Sequence, residues 1–360
     1  MNAVQRLRAT YDMKPVDHLV RREFYIWQEA LERWKGEGMP PDADMGELFG
    51  FDPPAEFALG HLGWCEPAFV PPIEDRVLEE TAEYQIVRDS AGRTVKFFRG
   101  RRHGFMPTYL KHAVADDRDW EEEVAPRLSP QTPQRWDGFD EHLARAAEAD
   151  AEGKRIVLNG VGGYMYLRAL VGPEEICYLL VDNPALVHKM MQAWLALFDA
   201  VAERAQRRVE IDTVYLAEDI CYNHGLLISP DMVREFLFPY YQQVLANIRR
   251  RQKTKRLVFQ LDTDGNCAEA AELYRQIGLD ALTPLEVAAG CDVLEYARKY
   301  PDLVLLGGID KRVLAAGKKQ IDAHLKRILP PMVRRGGYIP TCDHGVPDNV
   351  SYENYVHYRR

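Results

Sequence analysis

Residues 256–286 read RLVFQLDTDGNCAEAAELYRQIGLDALTPLE. An apolar, β-branched run closes on Asp262-Thr263-Asp264-Gly265-Asn266, and a helical pattern then leads to Gly278. A second apolar run comes next and ends on Glu286. Strand, turn, helix and strand in that order make a βαβ unit, and such units require a parallel sheet covered by helices. The same grammar surrounds it. RIVLNG (155–160), DTVYLAED (212–219), DLVLLGG (302–308) and GYIPTCD (337–343) are further short apolar runs, and segments with apolar spacing near 3.6 lie between them. Several of those segments open on Ser-Pro or an acidic first turn and stop at Gly. HLVRREFYIW (18–27) with QEALERWKGEG after it adds another unit. One continuous series of this kind predicts an α/β fold, a single (β/α)8 barrel spanning residues 1–360. Two stretches break the series. YQIVRDSAGRTVKFFRG (84–100) reads as a β-hairpin with a Ser-Ala-Gly turn, and 118–152 is charged and helical with a Pro-broken loop. Together they predict an N-terminal hairpin and helical insertion over about 75–152.

Bulk properties narrow the class. The chain has 360 residues, 46% hydrophobic and 28% charged, which is ordinary globular composition. A net charge of −9 argues against nucleic acid or an anionic membrane as partner, because both need basic surface. No stretch is apolar for long enough to span a bilayer, and the start lacks the apolar core of a signal peptide. The six cysteines are scattered without a CxxC pair, so a reducing, cytoplasmic compartment is expected.

In a barrel of this type the carboxyl ends of the strands face a common mouth, where chemistry is found. The polar residues that close the apolar runs are Asn159, Glu218 with Asp219, Asp262 with Asp264, Glu286, Asp310 with Lys311, and Cys342, Asp343 and His344. Asp is a preferred helix cap, so some of these have a purely structural reading. Glu, Lys, Cys and His are not, and the set as a whole suggests acid–base work by Glu218, Asp219, Glu286, Asp310 and Asp343. Crowded carboxylates cannot all ionise at low cost, and Glu286, behind an apolar run, is a candidate for a raised pKa. Asp262 and Asp264 share one face of an extended stretch, and Cys342 and His344 have the same spacing. If these strand ends converge they offer a zinc-type ligand set. The competing reading is an Asx-turn into Gly265-Asn266 with Cys342 buried. RGRRHGFMPTYLKHAV (99–114) gathers cations, and Arg101, Arg102, His103 and Tyr109, with Asn159 and Lys311 from the strand ends, are the candidate substrate contacts. A solvated basic loop is the alternative. GVGGYMY (160–166) reads as a tight strand-to-helix turn whose N–H groups can face an anion.

DTVYLAEDICYNHGLLISPDMVREFLFPYYQQV, LDTDGN, LTPLEVAAGCDV, LLGGIDKRVLAAG and GGYIPTCDHGVPDNVSYENY together resemble the uroporphyrinogen decarboxylase superfamily over about 155–360. This superfamily holds the haem-pathway decarboxylase and the cobamide-dependent methyltransferases. The decarboxylase carries an RxAGRY loop that grips substrate carboxylates, and the corresponding stretch here, RREFYIWQEALERW, lacks it. The methyltransferase branch holds zinc with an HxCGN motif and a C-terminal cysteine. The resemblance places Cys342 on that cysteine, but Asp262 and Asp264 stand where the branch has His and Cys, so the metal site either survives in altered form with His344 recruited or has been lost. What it implies is methyl transfer from a small methylated substrate to a separate corrinoid protein, with zinc on Asp262, Asp264, Cys342 and His344, in a barrel that often pairs as a homodimer. A decarboxylase anchored by the basic loop, with a protonated carboxyl or Lys311 as proton donor, is the second expectation. A non-catalytic ligand-binding barrel is the third.

Overall fold

The computed structural model describes residues 1–101 and 107–360. The strands in chain order are β1 (Glu56–Ala58), β2 (Arg76–Glu80), β3 (Tyr84–Arg88), β4 (Thr94–Phe98), β5 (Thr108–Lys111), β6 (Arg155–Val161), β7 (Thr213–Ala217), β8 (Cys221–Tyr222), β9 (Gly225–Leu226), β10 (Val258–Asp262), β11 (Ala281–Leu285), β12 (Val304–Gly307) and β13 (Tyr338–Ile339). Seven of them form one curled parallel sheet in the order β1-β6-β7-β10-β11-β12-β13. The β10 to β11 unit pairs Gln260 with Ala281 and Asp262 with Thr283, and β7 lies on the other side of β10 with Tyr215 opposite Gln260. These strands are buried on both faces, which is why they read as continuous apolar runs.

Regular pairing covers seven rungs where the sequence predicts eight. The segment 18–27 makes a single parallel bridge, Ile26 to Val346, and the Trp27 N–H donates to the Val346 carbonyl at 3.1 Å. Side chains do much of the tying there. Arg22 donates to Glu56 at 2.8 Å, and Glu23 accepts from the Cys342 N–H at 2.7 Å. β1 has three residues behind Pro53-Pro54, too few to show a period. The last run, 337–343, is regular only at Tyr338–Ile339, because Pro340 has no N–H to give a ladder.

β2, β3, β4 and β5 form a separate antiparallel sheet in that order. Its β3–β4 turn is closed by Asp89, whose Oδ1 accepts from the N–H groups of Ala91 and Arg93 at 3.1 and 2.8 Å. The helix Phe139–Ala151 is not peripheral. It buries Phe139, Leu143, Ala146 and Ala149 in the main core. The long helical stretch after β6 is cut at Asn183, whose side chain caps the helix Pro184–Gln206 with Pro at its first position.

A second, smaller apolar cluster matters more for the site. The helix Ala3–Tyr11, opened by a capping box between Asn2 and Gln5, lays Leu7 and Tyr11 against Val258, Ala281 and Val304 at the amino ends of the sheet. Each buried side chain of this kind contributes about 1.5–3 kcal/mol. The helix closes the sheet from below, and the Tyr11 hydroxyl donates to Gln260 Oε1 at 2.7 Å. Among the described residues no helix is long and apolar enough to cross a membrane.

Candidate active site

A cavity of about 500 Å³ opens at the carboxyl ends of β7 and β10 and runs inward along the sheet. Asp262, the last residue of β10, faces it and is 9% exposed. Tyr215 on β7 donates its hydroxyl to Asp262 Oδ2 at 2.7 Å. Burial pushes the Asp262 carboxyl up to about 8; the Tyr215 hydrogen bond opposes the shift, while Asp264 and Asp219 reinforce it as like charges.

Glu218, directly after β7, is fully buried and accepts from Tyr241 at 2.7 Å and Tyr274 at 2.6 Å. Its carboxyl is pushed up to about 7 by burial, against the pull of those two phenols. The Gly-rich turn makes room for it. A Cβ on Gly162 would sit 1.8 Å from Glu218 Oε2. The N–H groups of that turn are used within the protein: Gly162 donates to the Ala217 carbonyl at 2.7 Å and Gly163 to Tyr241 Oη at 2.5 Å. A third, on Tyr164, donates to Glu218 Oε1 at 3.4 Å, so the turn faces the protein's own carboxyl. Asp219 has a left-handed backbone, φ 47°, and is paired with Arg168 at 2.6 Å. Asp264 and His344 meet at 3.2 Å on the rim, and this contact raises the imidazole pKa. The His344 ring lies beside Phe24 and Trp27, with centroids at 5.9 and 6.1 Å.

The other predicted groups turn away from this space. Lys311 Nζ donates to Glu286 at 2.7 Å, and Glu286 Oε2 accepts from the Gly265 N–H at 3.0 Å. Asp343 is fully buried, and its two oxygens accept the backbone N–H groups of Lys311 and Val287 at 3.0 and 2.9 Å. It clamps three strand ends together and has no place in the cavity wall. Burial raises its pKa. Asp310 caps the helix Lys311–Ala316 and pairs with Arg312 at 2.8 Å. Burial alone would raise it, yet the Arg312 guanidinium holds its carboxyl below the usual range. Asp310 thus serves as the cap of that helix.

The expected zinc set does not assemble. Asp262, Asp264 and His344 line the cavity, but Cys342 is fully buried behind the wall, with its Sγ 3.8 Å from Asp343 Oδ1 and its thiol pKa pushed up by burial. Among the described residues no group of three or more His, Cys, Asp or Glu is arranged to hold a metal ion. The residues present therefore do not fit a zinc carried on Cys342.

The predicted substrate anchors scatter. Asn159 Oδ1 accepts from the Gly60 N–H at 3.0 Å, which fixes a loop. Tyr109 lies on β5 and Arg101 in the turn that follows β4, both outside the cavity wall. Arg102 and His103 fall outside the described residues. The sequence reading missed Tyr11, Arg22, Glu56, Tyr215 and Thr283, all of which line the cavity. Three of them had a usable signal: Tyr215 and Thr283 are polar intrusions in apolar strands, and Arg22 sits in the segment beside β1. Period-two alternation puts Tyr215 and Ala217 on one face of β7, as it does Gln260 and Asp262 on β10.

Fold and site together define a class: a parallel α/β protein whose polar groups gather at the carboxyl ends of a curled sheet. Residues 153–358 match the family described as Uroporphyrinogen decarboxylase (URO-D), more than half of the chain, and the chain belongs to that family. It is similar to a uroporphyrinogen decarboxylase of Geobacter metallireducens, 27% identical over 215 residues, 56% of this chain and 58% of that protein. A Rhodococcus erythropolis uroporphyrinogen decarboxylase is 30% identical over 177 residues, 46% of each chain. The chain thus spans about half the length of the curated relatives it matches. In fold it is similar to a methyltransferase from Methanosarcina mazei, with a TM-score of 0.62 over 99% of this chain and 97% of that one at 16% identity. That identity speaks for the fold.

Proposed function

We propose that the protein is an enzyme that removes a methyl group from a small methylated substrate held in the cavity and passes it to a separate corrinoid protein docked over the mouth. The observation that carries this reading is Asp262, a carboxyl at the cavity wall whose pKa of about 8 keeps it protonated at neutral pH. Demethylation at a heteroatom needs a proton for the leaving group as the bond to the methyl carbon breaks. The Asp262 carboxyl supplies that proton and is left as a carboxylate stabilised by the Tyr215 hydroxyl, 2.7 Å away. The pair Asp264–His344 at the rim, 3.2 Å apart, is placed to return a proton from solvent. Phe24, Tyr25, Trp27 and Trp64 line the same space and give it an aromatic rim.

Decarboxylation of a porphyrinogen with many carboxylates is less well supported, because among the described residues the cavity wall carries one arginine, Arg22, against several acids. The test is a transfer assay in which reduced free cobalamin accepts methyl groups from a panel of methyl ethers, methylamines and methyl thioethers. Methyl transfer that Asp262→Asn abolishes is the expected result. Release of carbon dioxide from uroporphyrinogen with no methyl transfer would overturn the proposal in favour of the decarboxylase.

A further inference from the structure

Curled parallel sheets of this kind ordinarily fill their interior with stacked side chains. Here the cavity continues inward past Asp262 to Gln260 and Tyr11, and Thr283 and Leu306 stand in its wall near the level of Asp262. Thr283 is the register partner of Asp262 on the next strand and is 1% exposed, and its hydroxyl has no hydrogen-bond partner among the described residues. Such an orphan is costly and rare in native proteins unless a ligand or water answers it.

The remaining polar groups at this depth are dominated by donors. Tyr11 gives its hydroxyl proton to Gln260 Oε1, so the group left on Gln260 is an amide donor. Tyr215 gives its proton to Asp262. Arg22 donates Nη1 to Glu56 Oε2 at 2.8 Å and also bonds the Tyr11 hydroxyl, two partners for a fork of five N–H bonds. The acceptors of the floor, Glu56 and Asp262, are already engaged by Arg22 and Tyr215.

We infer that the floor of the cavity is a binding subsite for the non-reacting end of the substrate, an oxyanion such as a carboxylate, held by the Arg22 guanidinium and the Thr283 hydroxyl. The inference rests on the proposed methyl-transfer reading for which end reacts, and it names the class of substrate: a small methylated compound with a carboxylate or similar group at its other end. The floor fixes that end, and the methyl group then points outward past Asp262 to the mouth.

The test is isothermal titration of the full chain with methoxyacetate and with 2-methoxyethanol, two methyl ethers that differ at the far end. Methoxyacetate should bind saturably and at least about 10-fold more tightly than the alcohol, the scale of one charge-assisted hydrogen bond. Thr283→Val, which keeps the shape, and Arg22→Lys, which keeps the charge beside Glu56, should each weaken methoxyacetate by about 10-fold while binding of the alcohol stays within about 2-fold. No saturable binding of methoxyacetate, equal binding of the two ethers, or unchanged binding by both variants overturns the subsite. Binding is read without turnover, so a failure of methyl transfer leaves this result standing. Transfer without any preference for the carboxylate overturns the subsite alone.

Discussion

Two arcs of one ring of strand ends behave in opposite ways. On the arc of β7 and β10, Glu218 and Asp262 sit in the cavity wall without a cationic partner of their own among the described residues, and burial lifts their pKa values to about 7 and about 8. On the arc of β11, β12 and β13, Glu286 is paired with Lys311, Asp310 with Arg312, and Asp343 with two backbone N–H groups. In the sequence the two arcs look alike, since each run of apolar residues ends in an acid. The difference is who answers the charge. Where a cation or a pair of amides does, the acid is tied into the frame; on the cavity wall burial outweighs the pull of the phenols and raises the proton affinity.

The sharpest way to break this contrast is to neutralise one acid from each arc. Asp262→Asn should lower methyl transfer by about 10²–10⁴-fold, the usual contribution of a general acid. Asp310→Asn should stay within a few-fold of wild type in the same steady-state assay. Equal losses would mean that the arcs do not differ in function.

Stability should show the reverse pattern. Asp343→Ala leaves the N–H groups of Val287 and Lys311 buried and unpaired, and a urea titration should show a loss of about 2–4 kcal/mol. A loss below about 0.5 kcal/mol would mean that Asp343 is no clamp.

The pH dependence separates the arcs again. Asp262 and Glu218 bind their protons more tightly in the folded chain than in the unfolded one. The stability they bring is full below about pH 4 and is lost as pH climbs through about 7 and about 8. In that window Asp262→Asn should lose less stability with rising pH than wild type, by up to about 1.4 kcal/mol per pH unit. Activity should fall above pH 8 as Asp262 loses its proton. Parallel stability curves for the two proteins would refute the raised carboxyl.

The smallest effect sharpens the picture of the floor. Thr283→Val replaces an unpartnered buried hydroxyl with a methyl group, and the thermal midpoint should rise by the equivalent of about 1 kcal/mol. A fall of similar size would show that the hydroxyl is satisfied in the folded protein.

Much of the scaffold is legible in the chain. The runs 155–160, 212–219, 256–265, 280–286 and 302–308 each contain a strand of the parallel sheet. They are legible because a strand buried on both faces must be apolar throughout. The pairing of the segment 18–27 and the strand β1 are not, because side-chain ties and a three-residue ladder leave no period to read. Within the site, Glu218, Asp219, Asp262, Asp264 and His344 reach the cavity as their positions at strand ends suggest. Cys342 shares that kind of position and lies behind the wall, its backbone held by Glu23 from a segment 319 residues away in the chain.

The amino-acid sequence by itself determines the alternation of strand and helix, and hence which end of the sheet collects the ionisable groups, because local periodicity and capping are enough for both. The tertiary structure alone decides which of those groups are answered. The Lys311–Glu286 pair, the amides on Asp343, the tyrosines on Glu218 and Asp262 and the unanswered Thr283 hydroxyl are all long-range meetings. Proton affinity depends on burial and on the nearest partner, and neither is a property of a residue's place in the chain.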